Sequence, residues 1–219
     1  MTVLRQVKIW DDSRGPAGLD ASTNVMETIE YEHHEIHSGS SYHAYANAAG
    51  GSGTKATITF TTPDTLKWAH VVVSGVSNVI ASFTFGEGAT VTAVSGSDFV
   101  PRNRNRNSDN VSGMISSGSA GGAGNVTTGA TVTDFGTLLQ FGQMGAGKVG
   151  GESRGAAEWV LKRNTTYALE CESQAATSEV HVNLEWYEHT DKNVIPSVES
   201  SSSSSSSSSV DSSSSSSGA

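Results

Sequence analysis

The sequence predicts an all-β fold, a jelly-roll-like β-sandwich with an extended N-terminal arm and a disordered Ser-rich tail. Three observations carry this expectation. Apolar and polar residues alternate over short runs, the runs are separated by Gly, Pro, Asp and Asn, and no segment repeats apolar residues at helical spacing. About eight to ten short strands with Gly-rich turns close into a sandwich or barrel, and the two-sheet jelly roll is the first choice.

Ala56-Thr-Ile-Thr-Phe-Thr61 alternates and reads as a strand. Thr62-Pro63-Asp64 ends it, because proline lacks a ladder donor and aspartate favours turns. Trp68 to Val73 is a second strand, apolar enough to be covered on both faces, and Val79 to Phe85 a third. Gly86-Glu-Gly88 is a turn, and Ala89 to Val94 alternates again. Thr131 to Phe135, Thr137 to Phe141, Glu158 to Leu161 and Tyr167 to Cys171 resume the signal. In Val180 to Tyr187, Val180, Val182, Leu184 and Trp186 share one face, and His181, Asn183, Glu185 and Tyr187 share the other. Asn24 to His37 fits either a strand or one helical turn. Gly113 to Gly129 has no period and reads as a long loop.

The sandwich is expected over residues 24–195, with residues 1–23 as the arm and 196–219 as the tail. From residue 200 to 217 the tail is Ser broken by Val210 and Asp211, and it holds too little apolar surface to offset the entropy of ordering. Neither a signal-peptide run nor a membrane-length apolar run is visible, so the chain reads as made in a cytoplasm and not exported by the usual N-terminal route. Among 219 residues, 13 Lys and Arg stand against 22 Asp and Glu, a net charge of -9. That balance argues against nucleic acid as a general partner and suits contact with a basic one. Cys171, the single cysteine, sits in an alternating run as a small core residue rather than a catalytic thiol.

Several groups are candidates for function. Pro101-Arg-Asn-Arg-Asn-Arg-Asn107 alternates charge and amide in an acidic chain. If it is extended, Arg102, Arg104 and Arg106 share a face at roughly 6.5–7 Å spacing, opposite Asn103, Asn105 and Asn107. Such a row grips carboxylates or phosphates on a partner; the plainer reading is a solvated loop. Arg102, Asn103, Arg104, Asn105 and Arg106 are therefore candidate assembly contacts. His33, Glu35 and His37 could share a metal on one face of a strand, or His33 and His37 on a helix. His33-His34-Glu35 also fits the His-X-Glu of a metal-dependent double-stranded β-helix enzyme, to be completed by His70, His181 or His189. Tyr187, on the polar face of its strand, is the candidate for stacking a sugar in a carbohydrate- or receptor-binding module. Gly142 to Lys148 lacks the Ser/Thr of a phosphate loop, there is no Gly-X-Ser-X-Gly elbow, and no spacing singles out a carboxylate pair. No catalytic residue and no cofactor are expected.

An ordered series of short pieces resembles a family of tailed-phage virion proteins. It comprises His33-His34-Glu-Ile-His-Ser-Gly39 with Tyr42, Thr62-Pro-Asp-Thr-Leu-Lys-Trp-Ala-His70, Glu87-Gly-Ala-Thr90 and Pro101 to Asn107. Gly150-Gly151 with Arg154, Glu158-Trp-Val-Leu-Lys-Arg-Asn-Thr-Thr-Tyr167 and Trp186-Tyr-Glu-His189 complete it. The resemblance implies a β-rich, capsid-associated decoration or head-fibre protein without enzymatic activity. It also implies a homo-oligomer, with a trimer favoured, that docks on the major capsid protein or another virion component.

Overall fold

The computed structural model describes residues 10–11, 15–16, 31–92, 96–117, 122–145, 148–151 and 158–190. The Ser-rich tail lies outside the described residues, as does Arg154. Of the N-terminal arm, only the antiparallel pair β1 (Trp10–Asp11) and β2 (Gly15–Pro16) is described. Helix α1 (Tyr31–Ser38) precedes β3 (Ser41–Gly50), β4 (Lys55–Thr61), β5 (Lys67–Ser77), β6 (Ala81–Glu87), β7 (Thr90–Val91), β8 (Ser97–Phe99), β9 (Arg102–Asn103) and β10 (Ile115–Ser116). Then follow β11 (Val126–Thr128), β12 (Val132–Asp134), β13 (Thr137–Met144), β14 (Lys148–Gly151), β15 (Trp159–Val160), β16 (Thr166–Ser173) and β17 (Ser178–Thr190).

The strands form two main sheets. One runs β14-β5-β17-β3-β9 with β15 also on β5; the other runs β13-β6-β16-β4-β11-β8 with β10 also on β4. Neighbouring strands are antiparallel. Counting β3, β4, β5, β6, β13, β14, β16 and β17 as first to eighth, the sheets read first-eighth-third-sixth and second-seventh-fourth-fifth. That is the jelly-roll order of two interlocked Greek keys.

The alternation read from sequence fills the space between the sheets. Val71, Val73, Val180, Val182, Leu184 and Trp186 face Ile58, Phe60, Phe83, Phe85, Leu169 and Cys171 in one core. Small residues stand against large ones: a Cβ on Gly75 would lie 2.6 Å from the Phe83 ring. Burial pushes the Cys171 thiol up to about 11, with the Glu170 charge adding to it, so a thiolate is suppressed there.

The connection from β6 to β13 is a long insertion. It sets β10 and β11 beside β4, β8 beside β11, and β9 beside β3, and so covers the edges of both sheets on one side of the sandwich. A ribbon of β7 and β12 returns the chain, and its continuation crosses the outer face at Gly86, where a Cβ would strike the carbonyl of Phe135. Here the structure corrects one expectation and decides between two alternatives. The segment from Gly113 to Gly129 contains β10 and β11, and its Met114 and Val126 are fully buried in the core. The uncertain stretch before His37 ends in α1, a helix of 8 residues packed beside β3 and β17.

Candidate functional site

Among the described residues, four titratable side chains meet on the outer face of the sheet containing β5 and β17. Tyr187 and His189 project from β17 two residues apart. His70 lies opposite Tyr187 on β5, and Glu158 precedes β15, which pairs with β5. His70 Nδ1 lies 2.6 Å from Glu158 Oε1, and the Tyr187 hydroxyl donates to the same oxygen at 2.6 Å. On the other side of the ring, His70 Nε2 lies 2.7 Å from His189 Nε2. Tyr187 and His189 flank the His70 ring, with centroids at 4.7 and 4.6 Å. When His70 is neutral, the carboxylate acceptor places its proton on Nδ1, so Nε2 accepts from the Nε2–H of His189. The four groups form a relay that joins β5, β17 and the lead into β15.

Burial holds the His70 imidazole below its ordinary value of 6.5; the His189 charge pushes the same way, while the Glu158 and Glu35 carboxylates oppose it. The unfolded chain therefore binds more protons than the folded one below about 6.5. Stability therefore drops as the pH is lowered through that window and levels off once His70 itself protonates in the fold. A second window lies lower. Lys162 Nζ, 2.6 Å from Glu87 Oε1, and the Tyr167 hydroxyl, 2.9 Å from Oε2, hold the Glu87 carboxyl below its ordinary 4.5 against the effect of burial. The stabilisation from Glu87 is present above that value and is lost as the pH falls through its depressed one. His70→Asn is expected to flatten the melting-temperature profile between about pH 7 and 5 while leaving the lower fall. An unchanged upper slope would show that another group sets it.

The arginine row is only partly a row. Arg102 and Asn103 form β9, opposite His43 and Tyr42, and the chain then turns. Asn103 is 8% exposed, and its amide donates to the Gly39 and Asn110 carbonyls. Its Oδ1 accepts from the Asn105 N–H, and Asn105 Oδ1 accepts from Asn107 N–H. Amide side chains that bond the backbone two residues ahead build turns, so the asparagines are structural here. Asn105 also donates to the His37 carbonyl. Of the arginines, Arg104 reaches Glu185 at 3.4 Å, Arg106 donates to the Asn103 carbonyl at 3.4 Å, and Arg102 is exposed beside His43.

The other sequence candidates are rearranged. His33 and His37, one helical turn apart, meet each other at 3.0 Å between Nε2 atoms. Glu35 points to the opposite side of the helix, where its carboxylate accepts from Ser40 and stands 3.5 Å from His34 Nδ1. Two residues subtend about 200° on a helix, so His33, Glu35 and His37 do not converge as strand geometry would have made them. Among the described residues, no three His, Cys, Asp or Glu side chains gather as a metal site. His70 and His189 lie on the outer face of the sandwich, while its inner positions are filled by the apolar core. Tyr187 is 5% exposed, so its ring offers no open stacking surface. Tyr45, on β3, is 48% exposed and braced edge-on by Phe99 at 5.4 Å. It borders a groove of about 250 Å³ with Asn47, Lys55, Thr57 and Thr128.

Sequence reasoning missed two inward carboxylates. Glu188 continues the core face of β17, is 4% exposed, and accepts from Ser112 Oγ at 2.7 Å, Gly113 N–H at 2.8 Å and Trp186 Nε1–H at 2.9 Å. Glu87 ends β6 in the same way. The available signal was the period-two pattern itself, which runs past Trp186 to Glu188 and past Tyr187 to His189. No family model, no curated protein and no solved structure matches the chain.

Proposed function

We propose that the chain is a non-enzymatic structural protein of a phage virion that oligomerises and docks on the particle surface as a decoration or head-fibre component. The observation that carries this reading is where the buried Glu188 and the half-buried Glu158 and Glu87 are used. Glu188 anchors the insertion to the end of β17, Glu158 joins β5 to β17, and Glu87 ties β6 to Lys162 and Tyr167. These groups work as mechanical ties between segments of a jelly roll, an architecture common in capsid shells. The ordered motifs resembling tailed-phage virion proteins support the same reading. In this role Arg102 and Arg106, on the surface of the insertion, face carboxylates of the shell.

Gradient sedimentation of particles from the phage encoding the chain tests the proposal. The chain is expected in the particle band at a fixed ratio to the major capsid protein, with Arg102→Ala/Arg106→Ala reducing its occupancy more at low salt than at high. Recovery only in the soluble fractions would overturn the reading. A second reading, a receptor- or carbohydrate-binding module, is favoured by one observation, the half-exposed Tyr45 ring over its polar groove. A glycan array probed with wild type and Tyr45→Ala separates the two.

A further inference from the structure

The two sides of the sandwich are finished differently. On the insertion side the outermost strands, β8 and β9, span 3 and 2 residues, and each carries a charge, Asp98 or Arg102. Short charged edges resist pairing with another chain. On the opposite side, β13 ends its sheet with 8 residues, Thr137-Leu-Leu-Gln-Phe-Gly-Gln-Met144, and pairs only with β6 among the described residues. It carries no charge and no proline in a chain of net charge -9.

A register shift between Leu138 and Gln140 changes the face of the residues that follow it. Leu138 lies opposite Gly86, and Phe141 opposite Thr84, which both belong to the outward set of β6. The shift thus puts two large apolar side chains, 54% and 64% exposed, on one outer face beside the open backbone edge. An uncharged edge of this length is a template for another strand, and its backbone groups specify a strand as the occupant.

We propose that β13 pairs antiparallel with β13 of a second copy of this chain, joining two seven-stranded sheets across a two-fold axis. The inference rests on the copy-to-copy part of the proposed function and names its surface. A head-to-tail pairing needs a second long open edge, and among the described residues β14, at 4 residues, and the short β8 and β9 do not offer one. Self-pairing is therefore isologous and gives a dimer, in place of the trimer that the resemblance implies. The neutrality of β13 keeps like charges out of the contact, and Leu138 and Phe141 cover one another's exposed area across the axis.

Light scattering on the full chain at micromolar concentration reads the outcome. Wild type is expected at twice the chain mass. Leu138→Lys/Phe141→Lys is expected at the single-chain mass and still folded, because both side chains are largely exposed in the single chain, with a melting temperature that no longer rises with protein concentration. Val160→Lys, on the other sheet, should leave the dimer intact. Hydrogen exchange gives a second readout: β13 amides are slow in the wild-type dimer and fast in the double-lysine variant. A dimer that survives the double substitution, or a trimer, overturns the β13 contact and leaves copy-to-copy assembly standing. A wild-type monomer overturns both, and slow β13 amides in that monomer would assign the cover to the chain's own remaining residues.

Discussion

Glu188→Leu is expected to destabilise the protein by about 3–5 kcal/mol, because three donors packed around the carboxylate lose their acceptor at roughly 1–3 kcal/mol each. Leucine fills a similar volume, but leaves Ser112 Oγ, Gly113 N–H and Trp186 Nε1–H without the carboxylate that receives them. Ser112 still accepts from Met114 N–H at 3.0 Å, so the local turn can persist while its tie to β17 is lost. The effect should be read in two places. The urea midpoint should fall, and amides around Val111 to Met114 should exchange faster than those of β5 and β16. A loss below about 1 kcal/mol would mean that these donors find other partners without cost.

Trp186→Ala should cost about 3–5 kcal/mol for a different reason, the cavity left by a fully buried aromatic. Trp186 has no exposed surface and packs at 5.6 Å from the Tyr42 ring, whose hydroxyl donates to the Val111 carbonyl. The loss therefore reaches the insertion as well as the core. Trp186→Phe separates the two contributions, since it keeps most of the ring but removes the N–H that Glu188 accepts. A double-mutant cycle of Trp186→Phe with Glu188→Leu should be non-additive, as residues in one hydrogen-bond network couple. Additive losses in urea unfolding would show that the tryptophan acts through packing alone.

Much of the fold was legible because its central strands alternate cleanly. β4, β16 and β17 each show their core face as a period of two, and Pro63 marks the end of β4. β3 gave no such signal. Its inward positions include Ala44 and Ala46, too small and too weak in strand preference to stand out, and its strand comes from a ladder along β17. The strands of the insertion are shorter still and exist through pairing with β3 and β4.

The candidate site was less legible because its members are far apart in the chain. Tyr187 was correctly assigned to the face opposite the core, yet an outward face is not always an open one. Glu158, 29 positions away, and His70, 117 positions away, meet its hydroxyl and ring. The arginine row failed as a pattern for a local reason: asparagine side chains bond to backbone two residues ahead and end the extended geometry after Asn103.

A density map of intact phage particles assembled in cells that express the chain tests the proposed virion role most directly. The expected result is a two-sheet jelly roll on the outer surface, with the insertion bearing Arg102 and Arg106 turned toward the shell. Particles that contain no density for the chain, or a map that places it inside the shell, would contradict it.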